Sequence, residues 1–291
     1  MHVCAVVVTH NRRSLLVECL AALRTQIRRP DRILVVDNAS SDGTPQMLRN
    51  EYPDVELVAL ATNQGGAGGF HDGLRRAHAG GSDWIWLMDD DTVPTPSCLE
   101  ALLSAVDRVP APALLSSKVV WTDGRPHPGN WPGFERSRTE AVVAASEVGL
   151  IPLRVTTFVS LLVSRGAIDD HGLPLRRYFL WSEDLEYTAR ILRRAPGYLV
   201  PDSVAVHKTA RRDHTCVTAP PERFYFHVRN TLYMLRGTAW DLAEKPLLVY
   251  VLVATTFNYL RFNRFSPRVV PIIWRGVRDG LRPGVPTPGR P

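Results

Sequence analysis

Residues 84–94 read WIWLMDDDTVP. The apolar run Trp84 to Met88 ends abruptly in three carboxylates, Asp89, Asp90 and Asp91. A short continuous apolar run is the mark of a strand covered on both faces. Three like charges at its tip repel one another unless a cation neutralises them. Two readings fit. One is a solvated acidic turn. The other is an oxygen-ligand site for Mg2+ or Mn2+, ions that bind through one or two carboxylates plus substrate phosphates.

Outward from this stretch the strand signal recurs. VCAVVVT (Val3–Thr9), RILVVD (Arg32–Asp37) and VELVAL (Val55–Leu60) are further apolar runs. Helical spacing fills the gaps: SLLVECLAALRTQ (Ser14–Gln26), with Ser14 as the expected N-cap, and a helix over Gly68–Ala79. Alternating strands and helices predict an α/β fold, a mostly parallel Rossmann-like sheet with helices on both faces. In such sheets ligands bind at the C-terminal ends of the strands. Those ends carry Thr9-His10-Asn11-Arg12, Asp37-Asn38 and Asp89-Asp90-Asp91. The topology predicts that they meet at one edge.

Beyond residue 95 the pattern loosens. Trp121 to Glu135, rich in Pro, Gly and Trp, reads as a surface loop. VTTFVSLLVS (Val155–Ser164) reads as one strand. Helices are predicted over Asp184–Arg194, Pro221–Gly237 and the apolar Pro246–Leu260. The implied division is a catalytic domain over 1–215, a helical C-terminal extension over 216–282, and a disordered tail over 283–291.

The bulk numbers exclude little. The chain has 291 residues, 45% hydrophobic and 22% charged, with a net charge of +6. This suits a globular protein with an anionic ligand, membrane surface or nucleic acid. The arginines are interleaved with acids over most of the chain, which argues against nucleic acid. Cys4, Cys19, Cys98 and Cys216 form no C-x-x-C pair, as expected of free thiols in a reducing compartment. The apolar run at the N-terminus is short and its basic residues follow it, so no signal peptide is expected, and the location predicted is cytoplasmic.

Five motifs, AVVVTHNR, ILVVDNASSDGT, NQGGAGG, WIWLMDDD and FLWSEDLEY, stand in this order. Together they resemble the inverting glycosyltransferases of family 2, with a GT-A fold, from about residue 3 to residue 210. In motif the chain is most similar to bacterial galactofuranosyltransferases, with rhamnosyltransferases as near relatives. The resemblance implies roles. Thr9 and Arg12 would lie near the nucleotide, and Asp37 would contact its base or ribose. Asn63, Gly65 and Gly66 would form the loop passing close to it. Asp89 and Asp91 match a D-x-D pair, Asp89 toward the ribose or metal and Asp91 on the metal. Asp90 would lie nearer the donor sugar. His207 would be a third metal ligand and Asp184 the catalytic base. Glu183 and Trp181 would face the acceptor, Trp181 as a stacking wall.

Structural readings stand beside these. Asp37-Asn38 also fits a plain turn, and the glycines the start of a helix. Acids in a first helical turn are favoured by the dipole alone. On helical spacing Glu183 and Glu186 share a face while Asp184 points elsewhere. A lone His is often structural, Trp181 also suits a core, and His214 is a weaker metal candidate. Arg211 and Arg212 suit phosphates.

The expected activity is metal-dependent, inverting transfer of a sugar, galactofuranose from UDP-galactofuranose or rhamnose from dTDP-rhamnose. The acceptor would be polyprenyl-linked or a polysaccharide, in cell-envelope glycan synthesis. A nucleotidyltransferase would carry a Gly-rich basic loop after the first strand, where this chain reads THNRRS. A sugar-nucleotide-binding protein without catalysis would need neither the DDD triplet nor Asp184. The aromatic, Arg-flanked C-terminal segments suit the headgroup region of an anionic membrane. They also suit a homo-oligomer interface. Peripheral contact with the inner face of the plasma membrane is expected.

Overall fold

A computed structural model describes residues 1–212 and 216–284; His214 and most of the expected tail lie outside the described residues. The elements run β1 (Val3–Thr9), α1 (Arg13–Arg24), β2 (Arg32–Asp37), α2 (Thr44–Glu51), β3 (Glu56–Ala59), α3 (Gly65–Ala79), β4 (Trp84–Asp89), β5 (Thr92–Pro94), α4 (Cys98–Val106) and β6 (Leu114–Val120). There follow β7 (Gly133–Phe134), α5 (Thr139–Glu147), β8 (Ile151–Val155), β9 (Leu161–Ser164), α6 (Arg165–His171), α7 (Glu183–Leu192) and β10 (Gly197–His207). Three helices close the chain: α8 (Pro221–Arg236), α9 (Lys245–Phe262) and α10 (Val270–Leu281).

Strand β1 shows why its sequence is apolar throughout. Side chains alternate across a strand. Val3, Ala5 and Val7 join a core with α1, α2 and α4. Cys4, Val6 and Val8 join another with α3, α6 and α7. Both faces are covered, so every residue of the strand is buried.

The strands form one sheet in the order β3-β2-β1-β4-β9-β6-β10-β8-β7, with β5 paired to β10. β1 to β4 pair in parallel, as do β6 and β10. β9 runs antiparallel between β4 and β6. β8 and β5 pair antiparallel with β10, and β7 antiparallel with β8. Thus β1, β2, β3, β4, β6, β10 and β7 point one way, and β9, β8 and β5 the other. This is the mostly parallel GT-A architecture with helices on both faces and a helical C-terminal region.

Three local expectations are corrected. Ser14 is not an N-cap: α1 begins one residue earlier, and Arg12 holds the cap position without a side-chain cap bond. The run 155–164 is not one strand. It splits into β8 and β9 because buried hydroxyls take up the reversal between them. Thr156 N donates to Thr188 Oγ1 at 3.1 Å, and Ser160 Oγ accepts from Trp86 Nε1 at 3.0 Å. The 121–135 segment is not a surface loop throughout, since His127 and Asn130 are buried.

α8 and α10 pack closely through Gly276 and Gly280, both buried. α9 is different. It exposes Leu247, Tyr250, Val253 and Phe257. Among the described residues no helix is long and apolar enough to cross a membrane.

Candidate active site

Parallel register places the ends of β1, β2 and β4 together: Thr9 stands opposite Asp37, and Val8 opposite Asp89. The cleft above them has two connected parts. One, of about 350 Å³, is lined by Thr9, His10, Asn38, Asn63, Gly65 and Asp90. The other, of about 290 Å³, is lined by Asp91, His207, Asn130, Trp181, Glu183 and Asp184. Arg12, Gly66, Asp89, Leu180 and Arg223 border both.

The acidic triplet is not an exposed turn: Asp89 is half-buried and the other two are buried. Asp90 and Asp91 are each 3% exposed. Thr9 Oγ1 donates to Asp90 Oδ2 at 2.8 Å, so Thr9 acts on the cleft chiefly through Asp90. Arg12 Nη1 reaches Asp91 Oδ2 at 2.6 Å and Asp90 Oδ1 at 3.3 Å. The other Asp91 oxygen, Oδ1, makes no hydrogen bond of good geometry, although His207 Nε2 lies 3.0 Å away.

The tautomer of His207 follows from its second partner. Asn130 Nδ2 donates to Thr157 Oγ1 at 2.9 Å, so Asn130 Oδ1 faces His207 Nδ1 at 2.7 Å and accepts a hydrogen bond from the protonated Nδ1. On a neutral ring Nε2 then offers a lone pair toward Asp91. This is the carboxamide-supported arrangement of a metal-binding imidazole. One ligand atom each from Asp89, Asp91 and His207 lies within 4.8 Å of the others. An orphaned buried carboxylate oxygen, a second carboxylate and a directed imidazole nitrogen fit a hard divalent ion.

Burial acts to lower the His207 imidazole, but the neighbouring Asp91 and Asp89 carboxylates outweigh it and, without a cation between them, raise it. Burial, then the Asp91 charge, push Asp89 up to about 7 against the pull of His207. Burial pushes Asp90 up to about 6 despite Arg12. Burial also acts to raise Asp91, but His207 and Arg12 outweigh it and hold its carboxyl below the usual range.

The nucleotide-side loops are stapled by Asn38. Its Nδ2 donates to Gly65 O at 2.8 Å, and its Oδ1 accepts from Gln64 N at 2.7 Å. Asn63 Oδ1 accepts from Gly65 N at 2.8 Å. Asp37 lines neither part of the cleft; its Oδ2 accepts from Ser40 N, and its buried Oδ1 has no partner. Gly65 adopts φ +70°, and a Cβ there would lie 1.8 Å from Phe179 O. A Cβ on Gly66 would lie 2.9 Å from Glu183 Oε1. These glycines therefore admit the protein's own 179–183 segment.

At the start of α7, Glu183 and Asp184 both line the cavity, so the expected division of faces between Glu183 and Asp184 does not hold. Glu186 turns away and pairs with Arg190 at 2.9 Å. Burial pushes Asp184 up to about 6, against the bond its Oδ1 accepts from Leu185 N. Burial, then the Asp184 charge, raise Glu183 well above the carboxylate range. Trp181 is half-buried in the same wall. Arg212 lies 3.7 Å from Asp123 and outside both parts of the cleft, as does Arg211.

Sequence reasoning missed Asn130, His127 and Arg223, which carry no local signal; Asn38 was singled out for its place at a strand end but not for the loop contacts it makes.

The family model of glycosyl transferase family 2 matches residues 4–146. The chain is 30% identical over 250 residues to galactofuranosyltransferase GlfT1 of Mycolicibacterium smegmatis, covering 80% of this chain and 82% of that one. It is 27% identical over 265 residues to N-acetylglucosaminyl-diphospho-decaprenol L-rhamnosyltransferase of Mycobacterium tuberculosis, covering 81% and 85%. Among solved structures, S. aureus TarS 1-349 in complex with UDP superposes with a TM-score of 0.65 at 17% identity, over 96% of this chain and 80% of that one. That likeness speaks for the fold. The family model and the 30% identity to a relative over most of both chains show that the chain belongs to glycosyl transferase family 2.

Proposed function

We propose that the protein transfers a sugar, with inversion, from a nucleoside-diphosphate donor to an acceptor hydroxyl in cell-envelope glycan synthesis. One observation carries this reading: the Asp89–Asp91–His207 cluster and Asp184 line the same cavity. The proposed donor is UDP-galactofuranose, supported by the likeness to GlfT1. The second reading, dTDP-rhamnose, is supported by the likeness to the rhamnosyltransferase. That relative's name also supports a polyprenyl-linked acceptor over a free polysaccharide.

Mg2+ or Mn2+ held by Asp89, Asp91 and His207 would supply Lewis acidity to the leaving diphosphate. Arg12 and Arg223, bordering both parts of the cleft, place positive charge where the donor phosphates cross. Asp184 takes the proton from the acceptor hydroxyl. The hydroxyl oxygen bonds to the anomeric carbon as the bond from that carbon to the diphosphate breaks. The nucleoside diphosphate leaves with the electron pair from the opposite face. A base near 6 is ionised at neutral pH yet stronger than an ordinary carboxylate. Burial and the Asp184 charge disfavour a second negative charge on Glu183, whose carboxyl would offer a hydrogen bond to a sugar hydroxyl. Trp181 gives the acceptor sugar an aromatic wall. Asp37 lies outside both parts of the cleft, at the end of β2, and its unpartnered Oδ1 is the acceptor proposed for the base or ribose once the donor is bound. Asn63 and Gly65 border the nucleotide half, and Asp90, held by Thr9, lies at its junction with the metal ligands.

Residues 1–215 form the proposed catalytic unit and 216–282 its helical extension. The extension would touch the inner face of the membrane: residues 245–278 carry Lys245, Arg261, Arg264, Arg268, Arg275 and Arg278 and no acid. Flotation with anionic vesicles tests this. Protein that stays at the bottom of the gradient as a homo-oligomer would assign the exposed face to self-association.

The reaction is tested with purified protein, Mn2+ or Mg2+, a panel of nucleotide sugars and a polyprenyl-lipid extract. The expected outcome is metal- and lipid-dependent release of nucleoside diphosphate from one donor. Metal-dependent nucleotide binding without release from any donor would overturn the catalytic reading.

A further inference from the structure

The segment leading into α7 is conformationally costly. Phe179, Trp181 and Ser182 have φ of 62°, 64° and 66°. Non-glycine residues stay in this region only where their surroundings over-determine them. The nucleotide-side loop supplies one restraint, as Ala67 N donates to Phe179 O at 3.2 Å. The others come from α8. Asn230, fully buried, directs Nδ2 at three main-chain oxygens: Tyr178 at 3.0 Å, Leu180 at 2.9 Å and Trp181 at 2.7 Å. Its own Oδ1 accepts from Arg229 Nε at 3.0 Å, which fixes the amide's orientation. Arg229 Nη2 donates in turn to the carbonyls of Arg177 and Tyr178 at 2.9 and 2.7 Å. The guanidinium lies over the rings of Tyr225, Phe226 and Tyr233.

We propose that Asn230 is a positioning residue for the reaction: by gathering the carbonyls of residues 178, 180 and 181 it holds the strained turn that seats Glu183 and Asp184. Without it, the carbonyls of Leu180 and Trp181 lose this donor and Tyr178 O keeps only Arg229 and Leu180 N, so the turn relaxes toward ordinary backbone angles. The start of α7 then moves relative to the acceptor hydroxyl. The inference rests on the reading of Asp184 as the base.

The test compares Asn230→Ala and Asn230→Asp with Val228→Ala. Aspartate keeps the shape but presents only lone pairs to the carbonyls. Val228 is buried in the same helix and packs on Gly276, away from the turn. Both Asn230 variants should lose kcat on the order of 100-fold, with donor KM changed by less than about threefold. Hydrogen exchange of the 178–186 amides should quicken in both, while amides of β1 and β4 keep their protection. Val228→Ala should lower Tm and leave kcat near the parent value. Parental kcat and exchange in Asn230→Ala would overturn the proposal, as would an equal loss of kcat in Val228→Ala. Exchange needs no turnover. Quickened exchange in Asn230→Ala together with full kcat in Asp184→Asn would leave the hold on the turn standing and overturn the reading of the base.

Discussion

Two groups of carboxylates face one cavity, and their surroundings differ. At the end of β4, Asp89, Asp90 and Asp91 lie beside Arg12, which acts to lower all three, while His207 acts to lower Asp89 and Asp91. At the start of α7, Glu183 and Asp184 are raised by burial with no cation opposing it; only main-chain hydrogen bonds do. The first arrangement suits holding positive charge. The second suits holding and releasing a proton. Like residues acquire unlike chemistry from their neighbours.

The largest effect is expected at Asp184. Asp184→Asn should lower kcat on the order of 1,000-fold, since the amide cannot accept the proton. Nucleotide affinity in the presence of Mn2+, followed by calorimetry, should stay unchanged. A variant that keeps most of its kcat would move the base elsewhere in the cleft.

On the metal side the expected effect is smaller. Asn130 acts on the ion only through His207. Asn130→Ala should weaken Mn2+ affinity about 10- to 100-fold, read by titrating the metal against activity or nucleotide binding. Excess metal should restore kcat, which it would not do for Asp184→Asn. That contrast separates the two clusters in a single experiment.

The smallest effect is on stability. Asp184 rises from 3.8 to about 6 on folding. A carboxyl raised by folding binds its proton more tightly in the native state, so its contribution to stability falls as pH climbs from about 4 to 6 and stays low above. Asp184→Asn should therefore be more stable than the parent at pH 7.5 by about 1–3 kcal/mol. The difference should vanish below about pH 4, where both states are protonated. Denaturant midpoints at the two pH values test the sign. In the parent, kcat should fall about tenfold per pH unit below about 6, as the base is neutralised.

Much of the first half was legible in the chain itself. β2 and β4 run over the residues that their apolar patterns predict, and the acids fall at a strand end where the fold gathers ligand groups. The same reading stumbled wherever a partner lay far away. Ser14 looked like a cap because capping residues are recognised locally, yet Arg12 takes that place while reaching Asp91, 79 residues on. The 121–135 segment looked like a surface loop by composition. Its Asn130 is buried because His207, 77 residues on, needs an acceptor at Nδ1.

The chain's local pattern alone was enough for the strand and helix order up to β4, the acids at the end of β4 and the family, because periodicity and motif are written in adjacent residues. The tertiary structure decided which acid holds which charge, how His207 is oriented, and why the turn before α7 can be strained. Those properties depend on desolvation and on hydrogen bonds such as that from Asn230 to Trp181, 49 residues apart, whose pairing leaves no periodic trace in the chain.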